Sequence, residues 1–142
     1  MRVTAPDLEL WLTRYIRALA ADEGVDVDVS NKEPADLGTV LPMPKPLIVI
    51  RDDSGAKTEV ITFERSIGAS VIGGSKKSDQ QINDLGRWLA GILHDPDIVL
   101  ASDDCPIAAV DFDGCNGPYP VAEQVDVARR YMTAQYRVVG SW

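Results

Sequence analysis

The stretch Arg130-Tyr-Met-Thr-Ala-Gln-Tyr-Arg-Val-Val139 decides the fold class of this chain. Its apolar residues recur at every second position, which is the period of a β-strand with one buried face. Such a strand needs neighbours in a sheet and a second layer against its apolar face. The apolar positions are Met132, Ala134, Tyr136 and Val138, and the polar positions between them are Thr133, Gln135 and Arg137.

Shorter stretches predict the other strands of the sheet. Valines alternate with aspartates from Val25 to Val29, which predicts a short, half-exposed strand. Leu47 to Arg51 is a dense apolar run typical of a central strand, and Asp52 to Gly55 is a hairpin turn. The returning segment, predicted as one long strand or two, is Lys57 to Ile72, and a further strand is Ile107 to Phe112.

Two segments with apolar residues at helical spacing predict helices. The first runs from Pro6 to Asp22, with Thr4 as its N-cap. The second follows a capping box formed by Ser78 and Gln81 and runs to His94. The apolar faces are Leu8, Trp11, Leu12, Tyr15, Ile16 and Leu19 in the first helix, and Ile82, Leu85, Trp88, Leu89, Ile92 and Leu93 in the second.

Proline and glycine mark the connections between these elements. Residues 30–46 contain four prolines, which cannot donate to a sheet, so this segment is predicted to be a long extended loop. Glycines and prolines at 114–120 predict a mobile or tightly turned loop. The whole pattern predicts a single α+β domain over residues 1–142, with two helices packed on a largely antiparallel or mixed sheet.

Composition narrows the possible functions. The formal net charge of −8 disfavours a protein that grips nucleic acid or an anionic membrane. No apolar run is long enough to span a bilayer, and charges interrupt the first apolar run as they would not in a signal peptide. We therefore expect no membrane partner and no export. Cys105 and Cys115 are expected to be reduced small hydrophobes.

The motif Asp111-Phe-Asp-Gly114 at a predicted strand end is the strongest candidate for chemistry. It resembles the nucleophile motif of haloacid-dehalogenase-type phosphatases, in which the first Asp attacks phosphorus and the second handles the proton beside Mg²⁺. That family places Thr or Val after the glycine, where this chain has Cys115, and only 28 residues follow Gly114. A structural strand end is the favoured interpretation, so we expect no enzyme and no cofactor, and a phosphatase using Asp111 and Asp113 stays the alternative.

Two other features have simple structural interpretations. The segment Gly68 to Ser75 has the glycines of a phosphate-binding loop but lacks its lysine, because Gly74 stands at that position. It is interpreted as a strand-to-helix turn whose basic tip contains Lys76 and Lys77. His94 has no nucleophile motif around it, and a protonated His is favourable at a helix C-terminus.

The order of these elements resembles that of the tail terminator, or tail completion, family of long non-contractile-tailed phages. The resemblance covers most of the chain. It begins with a first helix, an extended loop and the strand Pro46-Leu-Ile-Val-Ile-Arg51, followed by the strand Glu64 to Ile72 and the helix 82–93. It continues through Gly117-Pro118 to a last strand, Arg129-Arg-Tyr-Met-Thr-Ala-Gln-Tyr-Arg-Val-Val-Gly140.

The resemblance implies a virion structural protein, made in the host cytoplasm and located at the junction of head and tail. Six subunits would form a ring that caps the tail tube, ends its polymerisation and joins it to the head connector or stopper protein. Its partners would be other copies of itself, the tail tube protein and that connector. DNA would pass through an acidic lumen without specific binding.

A closed ring requires two different patches of each subunit to meet, and strand edges are natural candidates for them. Three regions are expected to contribute: a proline-rich arm that orders on docking, the tip of residues 73–77, and a strand edge near 129–131. The predicted interface residues are Pro42, Pro44, Gly73, Gly74, Lys76, Lys77, Arg129, Arg130 and Tyr131. The alternatives are another neck protein, such as a head-closure subunit, and a monomeric binding module.

Overall fold

The computed structural model, which describes residues 1–142, contains two α-helices on one six-stranded mixed sheet. This architecture confirms the predicted α+β class. The helices are α1 (Leu8–Asp22) and α2 (Gln80–Leu93). The strands are β1 (Asp28–Ser30), β2 (Leu47–Asp52), β3 (Thr62–Gly73), β4 (Ile107–Val110), β5 (Asn116–Pro120) and β6 (Ala128–Val139).

The sheet is built around the long pair of β3 and β6. These strands run antiparallel for twelve residues, from Thr62 opposite Val139 to Gly73 opposite Ala128. On one side the order continues through β2 to β1, and β1 is parallel to β2. On the other side of β6, β4 and β5 lie one after the other, so together they form one interrupted edge strand.

Both helices cover the same face of the sheet. The core between the layers contains 22 buried residues, including Leu12 and Ile16 of α1 and Leu89 of α2. Ala128, Met132, Ala134, Tyr136 and Val138 of β6 point into this core, and the last four are the apolar positions of the alternation in the sequence. Fully burying each Leu or Ile here contributes about 1.5–3 kcal/mol, so this layer contact is the main source of stability.

The loop of residues 31–46 packs across the opposite face, which is called the open face below. A 3₁₀ turn at Leu37–Thr39 places Leu37 against Val49, Ile72 and Val127, and Leu41 and Met43 pack around them. The predicted long loop is therefore present. The loop lies against the sheet of the same molecule because these apolar side chains pack on the open face.

The starts of both helices differ from the predictions. α1 is capped by Asp7 rather than Thr4, because the Asp7 carboxylate accepts a hydrogen bond from the backbone nitrogen of Leu10, while Thr4 bridges to Ser141. The predicted Ser78 capping box is wrong as well. The N-cap of α2 is Asp79, which makes no capping bond because its carboxylate binds Arg130.

Several strand boundaries also differ. The predicted loop at 114–120 contains β5, and the predicted strand 107–112 ends at Val110 because a 3₁₀ turn forms at Phe112–Gly114. β3 begins at Thr62 rather than Lys57, so the connection from β2 is longer than a tight hairpin turn. In the first valine repeat only Asp28–Ser30 is strand, since the backbone nitrogen of Val25 still bonds to Ala20 of α1.

Candidate functional site

A groove of about 470 Å³ lies on the open face of the sheet. Its floor is a row of paired residues across four strands: Val49 of β2, Ser70 of β3, Tyr131 of β6 and Tyr119 of β5. Cross-strand partners point to the same face of a sheet, so the pairing itself assembles this row. We call this cleft the sheet groove.

Two residues of this row, Tyr119 and Tyr131, form an aromatic pair on the side of the sheet groove nearest the interrupted edge. The rings of Tyr119 and Tyr131 meet edge to face, with centroids 5.7 Å apart. Tyr131 leans over Gly68, where a Cβ atom would overlap its hydroxyl, so the glycine makes room for the ring. Burial raises the pKa of Tyr131, and the nearby charge of Asp53 raises it further. Tyr131 therefore presents a neutral phenol at physiological pH.

An ion cluster around Arg129, two residues before Tyr131 on β6, also lines the sheet groove. Its guanidinium donates to Glu33 at 2.8 Å and to Ser70 at 3.1 Å, and its Nε donates to Glu123. Burial alone lowers the pKa of Arg129, but the hydrogen bonds and charges of the two glutamates outweigh it and raise the pKa. The cluster thus ties residue 33 of the long loop and residue 123 to β6.

Two charged side chains in the sheet groove have no partner in the structure. Arg51 and Asp53 are exposed, and neither side chain enters an ion pair or a hydrogen bond. The lining residues include three carboxylates, of Glu33, Asp53 and Glu123, and two guanidiniums, of Arg51 and Arg129. The groove therefore combines aromatic surface with one net negative charge.

The segment Arg129 to Tyr131 is not a strand edge, so that prediction is wrong. β6 is paired on both sides, with β3 and with β5. Its successive side chains point to opposite faces, because the period of a strand is two. Arg129 and Tyr131 lie on the open face, whereas Arg130 bonds to Asp79, the N-cap of α2, at 3.0 Å.

The predicted tip between β3 and α2 lies beside the beginning of β6. Gly74 has φ +58°, which favours glycine, and a Cβ at Gly73 would lie 2.9 Å from Ile82. The backbone nitrogen of Lys76 donates to Asp126 at 3.0 Å. The tip is thus held by residues 121–127, while the side chains of Lys76 and Lys77 are exposed.

The long loop exposes every second residue where it leaves the 3₁₀ turn. Leu41 and Met43 point inward and pack on the open face, whereas Val40, Pro42 and Pro44 are exposed. We call these three exposed residues the proline ridge. Its inward neighbours, Leu41 and Met43, pack against the sheet, so the ridge forms the outer side of this part of the loop.

The motif at Asp111 forms a bulge in the interrupted edge strand. Asp111 accepts a hydrogen bond from the backbone nitrogen of Asp113 at 3.1 Å, and its own nitrogen donates to Gln135 of β6. A Cβ at Gly114 would overlap the side chain of Gln135, so glycine is needed there for packing. These contacts account for Asp111 and Gly114 by structure alone. The chain contains no group of three or more His, Cys, Asp or Glu residues placed to hold a metal ion.

Both cysteines are free thiols near this edge. The sulfur of Cys105 lies 3.4 Å from the carbonyl oxygen of Ile98, and that of Cys115 lies 3.4 Å from the carbonyl oxygen of Asp111. Burial raises the pKa of Cys105, which keeps its thiol protonated at neutral pH. A protonated, partly buried thiol is a poor nucleophile.

The charge of the molecule is concentrated in one part of the sequence. Eight of the 22 acidic residues lie between positions 88 and 128, where there is no Lys or Arg. The remaining acidic residues are matched by the 14 Lys and Arg, so residues 88–128 account for the whole net charge of −8. Six of the eight, at positions 95–113, lie in the two turns that flank β4 or in the connection to it, so this part of the sheet edge is rich in acidic groups.

Of the eleven residues that line the sheet groove, the sequence indicated only Arg129 and Tyr131, and those it missed include Arg51, Asp53, Gly68 and Tyr119. Gly68 carried a usable signal, because a glycine inside a strand often marks a close approach by another group. No helix is long and apolar enough to cross a membrane. In comparisons with known proteins, no family model, no curated protein and no solved structure matches this chain.

Proposed function

We propose that this protein is a tail terminator subunit of a phage with a long non-contractile tail. In this role, a ring of subunits caps the finished tail tube, stops its polymerisation and presents a surface to the head connector or stopper protein. The observation that carries the proposal is the order of the elements. α1, a long loop, the β2–β3 hairpin, α2, an interrupted edge and the long β6 follow one another as in the family that the sequence resembles.

The surface of the molecule supports an assembly role. A ring forms from heterologous contacts, in which one patch of a subunit meets a different patch of the next. The open face offers a cleft, the sheet groove, and the long loop on this face exposes a separate set of residues, the proline ridge. Such a pair of unlike features suits repeated head-to-tail contact.

The distribution of charge is compatible with DNA passing close to the ring. Acidic groups repel phosphates, so a channel lined by the side that contains residues 88–128 would let DNA slide without retention. In this proposal the acidic side faces the channel. A ring whose lumen is lined mainly by Lys and Arg contradicts this part of the proposal.

Electron microscopy of negatively stained samples tests the proposed function. The purified protein is imaged alone at high concentration and then with purified tail tubes of the same phage. We expect rings, or caps at one end of each tube. Particles that remain monomeric and leave both tube ends bare would instead favour a binding module.

A further inference from the structure

We propose that the sheet groove binds a small zwitterion, an α-amino acid with an aromatic side chain. The ammonium group of the ligand lies between Asp53 and Tyr131, its carboxylate binds Arg51, and its ring packs on Tyr119. This inference goes beyond the proposed ring function and does not depend on it, because one subunit contains all four of these groups.

The two free charges of the sheet groove are neighbours at the end of β2. Asp53 follows Arg51 by two positions, which places both side chains on the same face. The backbone nitrogen of Asp53 donates to Ser66 of β3 at 2.8 Å, so the pairing of the two strands continues to this residue. No ion pair joins Arg51 and Asp53, although both line the cleft. One cation and one anion are therefore free, and a zwitterion satisfies both.

A notch above Gly68 brings a hydroxyl and a carboxylate together. A Cβ at Gly68 would overlap the hydroxyl oxygen of Tyr131 and lie 2.9 Å from Oδ2 of Asp53. Both oxygens therefore face the same small space, which any side chain at residue 68 would fill. An ammonium group has three N–H donors, so it can donate to both oxygens from this position.

The phenol of Tyr131 lies close to both free charges. Burial raises its pKa, Asp53 raises it further, and Arg51 lowers it. The phenol consequently stays neutral at physiological pH, and a neutral hydroxyl both donates and accepts hydrogen bonds. Tyr131 thus connects the part of the groove that receives the ammonium group with the part that receives the carboxylate.

The ring of Tyr119 supplies the apolar part of the site. It is 43% exposed and meets the ring of Tyr131 edge to face, with centroids 5.7 Å apart. A ligand ring that packs on Tyr119 buries apolar surface and adds a further aromatic contact. The volume of the groove, about 470 Å³, lies within the range of about 300–1,000 Å³ that is typical of small-molecule sites.

The ion cluster at Arg129 leaves the carboxylate of the ligand to Arg51. The guanidinium of Arg129 already donates to Glu33, Glu123 and Ser70, and its side chain is only 12% exposed. The two glutamates repel a further anion, because like charges at short distance raise the free energy. The exposed guanidinium of Arg51 has no such neighbours to satisfy it.

The first test titrates L-phenylalanine into the ¹⁵N-labelled protein and follows the amides by NMR. Saturable shifts are expected at Gly68, Ser70 and Tyr131, with a Kd of about 1 mM or tighter, and none at Gly91 in the helix layer. The analogues 2-phenylethylamine, which lacks the carboxylate, and 3-phenylpropionate, which lacks the amine, should each bind roughly tenfold more weakly. Shifts that are absent or lie elsewhere, or analogues that bind equally well, overturn the proposal.

The second test uses two variants to assign each charge to one end of the ligand. Arg51→Met should weaken the binding of phenylalanine and phenylpropionate roughly tenfold and leave that of phenylethylamine unchanged. Asp53→Asn should weaken the binding of phenylalanine and phenylethylamine and leave that of phenylpropionate unchanged. The matched control is Arg87→Met, at an exposed position of α2, which should bind all three ligands like the wild type. Variants that weaken all three ligands equally contradict the assignment.

The outcomes separate this inference from the proposed function. Phenylalanine binding in the groove by a chain that never caps tail tubes supports the site and counts against the terminator role. Capped tubes from a chain whose groove amides do not respond to the ligand leave the terminator role standing and overturn the site.

Discussion

Single residues in this fold are constrained by close packing as much as by burial. Gly117 has φ +91°, and a Cβ there would lie 2.6 Å from the carbonyl oxygen of Tyr131. Gly91 is an exposed glycine of α2 with no atom near its Cβ position. The two positions therefore predict opposite effects of the same substitution.

We expect Gly117→Ala to lower the free energy of unfolding by about 2–4 kcal/mol, because both the backbone conformation and the backbone contact become strained. Gly91→Ala should raise it by up to about 1 kcal/mol through helix propensity. Urea unfolding at pH 7 measures both values. Equal effects at the two positions would contradict the described path of β5.

Tyr136 supplies the second prediction at this scale. Its phenol is fully buried and donates to the carbonyl oxygen of Leu93 at 2.5 Å. Burial raises its pKa well above the ordinary value of 10.0. The neutral phenol thus stabilises the fold below about pH 10, and this contribution is lost as the pH rises further, because the unfolded chain ionises first.

Tyr136→Phe is therefore expected to cost about 1–2 kcal/mol at pH 7, because the carbonyl group of Leu93 loses its partner. Above pH 10 the gap between variant and wild type should shrink by up to about 1.4 kcal/mol per pH unit. Urea unfolding of both proteins from pH 7 to 11 measures the cost at pH 7 and the change of the gap with pH. A gap that stays constant across this range would show that the phenol is not buried in its neutral form.

At the scale of elements, the sequence predicted the helices and strands that have a regular spacing of apolar residues. It missed the elements whose conformation depends on contacts with distant parts of the chain. The alternation from Met132 to Val138 correctly placed β6, and the helical spacing placed both helices. The bulge at Phe112–Gly114 and the pairing of β5 depend on contacts with Gln135 and Thr133, which lie about twenty residues away in the chain. The groove was not predictable because it combines residues from four strands.

The N-caps of the helices were also not predictable from local sequence, and they give a third prediction. Asp7→Ala should cost about 1 kcal/mol, because the backbone nitrogen of Leu10 at the start of α1 loses its acceptor. Ser78→Ala should change stability by less than about 0.5 kcal/mol, because Ser78 makes no capping bond to α2. Thermal unfolding of the two variants measures the difference. A larger cost at Ser78 than at Asp7 would restore the sequence-based assignment.

The ion cluster at Arg129 gives a fourth prediction, which concerns the long loop. Arg129→Met should cost about 1–3 kcal/mol, because it leaves Glu33 and Glu123 without their cation in a half-buried site. Its matched control is Arg137→Met on the same strand and face, where the exposed pair with Glu64 spans 3.8 Å and contributes little.

Limited proteolysis checks where this loss of stability appears. In the Arg129→Met variant, cleavage should begin within residues 31–46, because Glu33 no longer ties that loop to β6. The Arg137→Met variant should be cleaved at the rate of the wild type. Earliest cleavage at some other site in Arg129→Met would show that the loop is held by its apolar contacts alone.

At the scale of the whole molecule, different sides of the protein have different properties. The helix layer contains the main core, the open face offers the groove and the ridge, and the part of the sheet edge around β4 is rich in acidic groups. A protein that stacks against copies of itself while DNA passes nearby needs such a separation of surfaces. The terminator proposal accounts for the three sides together.

The most direct test of this proposal is the growth of tail tubes in the presence of the purified protein. Tube protein of the same phage is polymerised with and without this chain, and tube lengths are measured by electron microscopy. The proposal predicts that elongation stops after addition and that each arrested tube has a cap at one end. Tubes that grow at an unchanged rate, with both ends bare, would contradict it.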